Sequence, residues 1–272
     1  MRNFIEQTIL DIQSVVCDLF YNEETAAKKG LLQLLEPRLK LLSIFFLIIG
    51  TNLIGSISGM AVFNAYALIL VGCSRVPVIR YLKWVSIVAL LFTGVVVLPS
   101  ILNIVKPGEV LWSISDRLYV TKPGLYSAGL LILRTFASLS FVYLLTVTTK
   151  WSELLKSLRI LRVPAPFVAT LEMTERYIFL ALELTCNFFM ARKSRTLRKT
   201  SGKEGRRFIA DAAGSLLIRT TALGDQVYQA MLSRGYTGEV RVINQFKVKA
   251  IDYLWLSWNI AFAVMLNIVF RV

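Results

Sequence analysis

A chain of 272 residues that is 56% hydrophobic, with a mean hydropathy of +0.61, carries more apolar side chain than a water-soluble domain of this length can hide. The formal net charge is +14, but there is no histidine, which excludes histidine-based catalysis and removes the commonest transition-metal ligand. The expected class is an all-α polytopic membrane protein.

The charge is unevenly placed. Between Lys150 and Lys249 there are 18 Lys/Arg against 8 Asp/Glu, so ten of the fourteen net charges lie in that one block. A basic surplus confined to one segment between spans marks a cytoplasmic loop. No aromatic-and-basic nucleic-acid module stands out, so nucleic acid is not expected as a partner and the lipid bilayer is. Cys17, Cys73 and Cys186 are far apart, form no CxxC pair and read as small apolar groups. The N-terminus lacks the basic-then-apolar pattern of a cleaved signal peptide.

In chain order, residues 3 to about 21 place Ile5, Ile9, Ile12, Val16, Leu19 and Phe20 at helical spacing. That predicts an amphipathic helix, too polar to span, followed by a polar linker over Asn22–Gly30. Residues 1–36 form this N-terminal part. Pro37 suits the first turn of a helix, and Arg38 and Lys40 are then expected at the headgroup level. Residues 37–149 hold four spans: about Leu41–Ile57, a short one at Met60–Val71, Val85–Leu98 and Gly124–Val147. The loop carrying Arg75, Arg80 and Lys83 is basic and expected inside. The balanced loop from Ser100 to Pro123 is expected outside, with a short interfacial helix through Leu111, Trp112, Ile114, Leu118 and Tyr119. Arg134 lies near the middle of the fourth span, where a charge is expensive. It reads as a structural contact in the bundle, or more sharply as part of a transport path.

Residues 150–249 form the basic domain. A short helix starts at Trp151-Ser152-Glu153 and is broken by Val163-Pro164-Ala165-Pro166. A long, very apolar helix follows over about 167–197, where Glu172, Glu175, Arg176 and Glu183 make spanning costly. Arg198–Gly205 reads as a turn. A second long helix, about 206–233, carries Ile209, Ala212, Ala213, Leu216, Leu217, Thr220, Leu223, Val227, Ala230 and Met231 as a stripe. Gly235 ends it as a C-terminal glycine. Residues 250–272 supply the fifth span. Alternating loop charges put the N-terminus and the basic domain inside.

There is no Walker-type glycine loop, no Ser/His/Asp set and no Cys/His set, and the spans are nearly free of carboxylates. The chain therefore reads as neither an engine nor an enzyme, with no cofactor or metal site of its own. What remains is a membrane bundle with a large basic helical domain, a part that converts motion made elsewhere. Two tripeptides fit that role: Ser194-Arg195-Thr196 and Ser233-Arg234-Gly235. An arginine flanked by small residues can insert its five-donor head into a pocket. The bland alternative is a solvated charge favoured by the dipole at a helix C-terminus.

The chain resembles the transmembrane T component of energy-coupling-factor importers. The resemblance rests on Glu36-Pro37-Arg38-Leu39-Lys40-Leu41, Leu145-Thr146-Val147-Thr148-Thr149, Val163-Pro164, Arg176-Tyr177 and, above all, Ala230 to Gly238. Ala191-Arg192-Lys193-Ser194-Arg195 and the tract at Gly214-Ser215-Leu216 look closest to the cobalt/nickel (CbiQ-type) branch. In that family the motif is Ala-Arg-Gly, twice, so Thr196 departs from the pattern. The resemblance implies that Arg195 and Arg234 dock into two ATP-binding ABC subunits, which would hold ATP and Mg. It also implies a substrate-binding membrane S component, of cobalt or nickel type, and a prokaryotic cytoplasmic membrane location. Rival readings are a permease subunit lining its own substrate path, a T component for vitamins, and a membrane-anchored nucleic-acid binder.

Overall fold

The computed structural model describes residues 14, 25–26, 30–101, 110–115, 118–161, 163–196, 202–238 and 249–270. The expected N-terminal amphipathic helix lies almost wholly outside the described residues. The chain divides into two compact units, one holding residues 22–157 and 246–272, the other residues 158–245 together with 1–21.

The first unit is built from apolar helices. After a 3₁₀ turn at Leu32–Leu34 come α1 (Pro37–Leu53), α2 (Ile57–Cys73), α3 (Val78–Ile101), α4 (Lys122–Thr148), the start of α5 (Trp151–Ile160), and α8 (Ala250–Val269). Pro37 opens α1 at its first turn, where a missing N–H leaves no bond unmade. The Ser56 hydroxyl caps α2 by accepting from the Gly59 N–H at 3.3 Å. Among the described residues, three helices are long and apolar enough to cross a membrane unaided: Val78–Val97 within α3, α4 and α8. Five spans were expected. With 17 residues each, α1 and α2 are about 25 Å long, at the short end of the range for a spanning helix. Both pack against the longer helices through the shared core.

Phe63, fully buried on α2, meets Phe141 on α4 edge-on at 6.4 Å and Phe262 on α8 at 5.7 Å. Several polar groups among these helices are paired, as an apolar surrounding favours. The Tyr66 hydroxyl donates to Asn259 Oδ1 at 2.9 Å, the Tyr81 hydroxyl to Ser140 Oγ at 2.6 Å, and Asn64 Nδ2 to the Leu133 carbonyl at 3.2 Å. Leu90, Leu91, Phe92, Val95 and Val96 of α3 stay exposed and form a lipid-facing band. α3 begins seven residues before the expected span, so Arg80 and Lys83 stand on a helix rather than in a loop.

The stretch expected to form an interfacial helix is a β-hairpin. Its strands β1 (Val110–Ser115) and β2 (Leu118–Thr121) pair antiparallel, with Ser113 opposite Tyr119. Leu111, Ile114 and Leu118 do carry helical spacing. However, Val110, Trp112, Ile114, Tyr119, Val120 and Thr121 are β-branched or aromatic and favour a pleated ribbon. Except for this hairpin the regular elements among the described residues are helical, as expected.

The second unit is dominated by α6 (Ala165–Arg195) and α7 (Gly202–Ser233). α7 starts inside the stretch read as a turn. Its expected apolar stripe is only partly turned inward. Phe208, Ala212, Leu216, Thr220, Leu223, Val227 and Met231 are half-buried, whereas Ile209 and Leu217 are exposed. The sequence stripe spans two adjacent helical rows, and packing covers one of them. Phe189 and Phe208 join the two helices edge-to-face at 5.4 Å, with the Arg192 guanidinium 4.2 Å above the Phe208 ring.

Candidate functional site

Arg195 is the last residue of α6, and Arg234 directly follows the last residue of α7. Both side chains are exposed, and among the described residues neither guanidinium has a hydrogen bond or ion pair. The small neighbours fold back on their own helices. Ser194 Oγ donates to the Ala191 carbonyl at 2.9 Å and Ser233 Oγ to the Gln229 carbonyl at 2.9 Å. Thr196 Oγ1 donates to the Arg192 carbonyl at 2.9 Å. The flanking hydroxyls are thereby occupied, and the arginine heads stand clear of them.

The two helix ends are built differently. After α7 the Tyr236 N–H reaches the Met231 carbonyl at 3.0 Å and the Gly235 N–H reaches the Leu232 carbonyl at 2.9 Å, with Gly235 at φ +80°. This paired 6→1 and 5→2 closure is a Schellman motif. After α6, Thr196 is extended at φ −113°, ψ 108°. That is an ordinary conformation for threonine, so the residue that departs from the Ala-Arg-Gly pattern fits without backbone strain.

The arginines do not share one site. Phe189 and Phe208 meet near the α6–α7 connection, which places Arg195 close to that junction. Arg234 lies 26 residues beyond Phe208, about 39 Å along α7 at 1.5 Å per residue. The two guanidiniums are therefore well separated along the unit.

The remaining singled-out residues have local roles. Arg38 Nε lies 3.1 Å from Glu36 Oε1. Burial pushes the Glu36 carboxyl above its usual value; the Arg38 guanidinium opposes this and the Asp252 carboxylate adds to it. Arg134 Nη2 donates to the Ile54 carbonyl at 2.8 Å, just past the end of α1. Pro164 caps α6, its carbonyl accepting from the Phe167 N–H at 3.1 Å and the Val168 N–H at 3.3 Å.

Lys40, expected at the headgroups, is instead 1% exposed. Its Nζ donates to the Thr148 carbonyl at 3.0 Å, to Thr148 Oγ1 at 3.3 Å and to Thr149 Oγ1 at 2.8 Å. All three ammonium protons are matched with acceptors. Asp252 is likewise buried, and accepts from the Glu36 N–H at 3.0 Å and the Lys249 N–H at 2.8 Å. A lysine in the first turn of an apolar helix ordinarily snorkels to water, and nothing local in the sequence signals partners more than a hundred residues away.

Three helices long and apolar enough to cross a membrane, in a chain that also carries a basic helical unit with exposed arginines at its helix ends, define the class as an integral membrane protein. The chain belongs to the CbiQ family of cobalt transport proteins, which matches residues 28–248. An uncharacterised protein of Methanocaldococcus jannaschii is 31% identical over 267 residues, covering 97% of this chain and 91% of its own. A second from that organism is 28% identical over 135 residues, half of each chain. The cobalt transport protein CbiQ of Rhodobacter capsulatus is 26% identical over 129 residues, 47% of this chain and 52% of its own. Family membership makes the chain a component of a transporter complex with partner subunits.

Proposed function

We propose that this chain is the transmembrane coupling subunit of an energy-coupling-factor importer for cobalt or nickel. In this reading it is non-catalytic. Arg195 and Arg234 each enter a groove on one of two ATP-binding subunits, which carry ATP and Mg. Nucleotide-driven closure moves α6 and α7, and the motion passes to a substrate-binding membrane subunit. The basic unit and the N-terminus face the cytoplasm of a prokaryotic cell. The cargo metal is held by the substrate-binding subunit, in keeping with a chain that has no histidine.

The observation that carries this reading is the state of the two arginines. Each sits exposed at the end of a helix of 31 or 32 residues, without a partner among the described residues and with small neighbours already bonded elsewhere. A charge prepared this way suits a deep, partner-supplied pocket. The test is co-purification and labelled Co²⁺ uptake with the ATP-binding subunits co-expressed. Truncating a buried interfacial charge pair costs about 2–5 kcal/mol, and reversal is no milder. Arg195→Glu or Arg234→Glu should therefore strip ATPase subunits from the complex, and the double variant should abolish uptake. Wild-type association and uptake in the double variant would overturn the proposal. Substrate found enclosed by α1, α2 and Arg134 would favour a permease instead.

A further inference from the structure

The chain passes from the first unit into the second within α5, and returns to the first near residue 246. Both flanks of this excursion meet the same short turn, Glu36 to Lys40. On the outgoing side, Lys40 Nζ takes the Thr148 carbonyl at the end of α4, together with the hydroxyls of Thr148 and Thr149. On the returning side, the Glu36 N–H bonds Asp252 Oδ1 in the first turn of α8, whose other oxygen accepts the Lys249 N–H. A second link runs from Trp255 Nε1 to Ser43 Oγ at 3.2 Å and on to the Lys40 carbonyl at 2.8 Å.

The chemistry of the outgoing side is unusual for a mere surface tie. A helix C-terminus leaves carbonyls without intrahelical partners and carries partial negative charge. Here a buried ammonium fills that place. Its three protons are matched to three oxygens; burial pushes the Lys40 amine down to about 7, and the Glu153 carboxylate in the first turn of α5 opposes that shift. Desolvating a lysine this fully is costly unless the geometry is held. Leu155 and Ser157 of α5 are buried as well, at 1% and 0% exposure, and the outgoing segment up to Ser157 belongs to the first unit.

We infer that Lys40 is a positioning residue: its ammonium anchors the point where the chain leaves the membrane bundle, so that force on α6 and α7 is carried into the bundle instead of being lost by fraying of the α4–α5 junction. The role rests on the coupling function proposed above.

The test uses the full chain in lipid nanodiscs and the complex with its ATP-binding subunits. In Lys40→Met, amide exchange over residues 146–157 should quicken about tenfold while the middles of α1, α2 and α4 keep wild-type rates, as expected when a local tie is cut. The variant should retain its ATPase subunits and their ATP turnover, yet move at least roughly tenfold less labelled Co²⁺ per ATP. Thr149→Val removes one acceptor and should show the same pattern more weakly; it decides the matter alone if Lys40→Met does not accumulate. Faster exchange spread evenly over the bundle, or unchanged uptake per ATP in a variant that holds its ATPase subunits, would overturn the inference. A wild-type chain that retains no ATPase subunit would instead overturn the coupling function and this role with it, and would be seen before any variant is made.

Discussion

Thr196 and Gly235 occupy the same place, one residue after an arginine at a helix end, in opposite halves of backbone space: φ is −113° at Thr196 and +80° at Gly235. Only the second requires glycine. An added Cβ at Gly235 would meet nothing within 4 Å, so the cost of Gly235→Ala is conformational, about 1 kcal/mol. The expected result is faster amide exchange over the last turn of α7 and looser presentation of Arg234. Thr196→Gly should leave the end of α6 no more stable, because it relieves no strain and loses the bond from Oγ1 to the Arg192 carbonyl. Exchange measured on the two variants side by side checks both statements.

Much of this architecture could be read from residue order. Apolar runs located the helices, Pro164 and Pro166 marked the break before α6, and Gly235 marked the end of α7. What escaped is non-local. The Glu36–Lys40 turn and the Thr148–Thr149 pair each stand out in the sequence, but their meeting depends on how α1 and α4 pack, and no periodicity encodes it. The hairpin at 110–121 escaped because three apolar residues at helical spacing competed with a β-rich composition. The α7 stripe was too wide because helical spacing identifies apolar rows without saying which of two neighbours finds a partner. At the arginine ends, the residue types were legible; the difference between an extended threonine and a left-handed glycine needed coordinates.

Gly50 governs how closely α1 approaches α8. A Cβ there would lie 3.0 Å from Ala263 Cβ and 3.3 Å from Phe63 Cζ, while the Gly50 carbonyl accepts from Asn267 Nδ2 at 3.2 Å. Small residues permit such contact between membrane helices. Overpacking costs about 1–3 kcal/mol, so Gly50→Leu should lower the apparent melting temperature in detergent and break the Asn267 bond. Gly50→Ala should cost less, and adding Ala263→Gly to it should recover part of that smaller loss, since it returns the space the new methyl needs. Equal melting of Gly50→Leu and wild type would show that the two helices do not depend on this approach.

Glu36 makes stability depend on pH. Its carboxyl titrates above the ordinary 4.5 because burial disfavours the charged form, which outweighs the opposing Arg38; the nearby Asp252 acts in the same direction as burial. The folded protein thus holds this proton more tightly than the unfolded chain. The resulting stability is fully present below pH 4.5 and is lost as pH rises through the folded value. Glu36→Gln removes that dependence. Relative to wild type, it should be more stable at neutral pH, and the difference should shrink as pH falls toward 4.5. Denaturation of both proteins over a pH series checks the sign; a variant less stable than wild type at neutral pH would mean that the Arg38 ion pair dominates.

Arg134 tests whether a mid-helix charge serves structure or passage. Its Nη2 donates to the Ile54 carbonyl at 2.8 Å, where α1 has just ended and Ile54 is 1% exposed. In an apolar surrounding that carbonyl has no water to turn to. Arg134→Met should therefore cost about 1–3 kcal/mol, the usual penalty for a buried acceptor left unpaired. Arg134→Lys, which keeps a donor, should cost less. If the side chain only closes the end of α1, both variants should transport in proportion to the folded protein present, with uptake per ATP unchanged. Should uptake per ATP collapse in Arg134→Lys while its melting stays near wild type, the residue would instead belong to a path through the bundle.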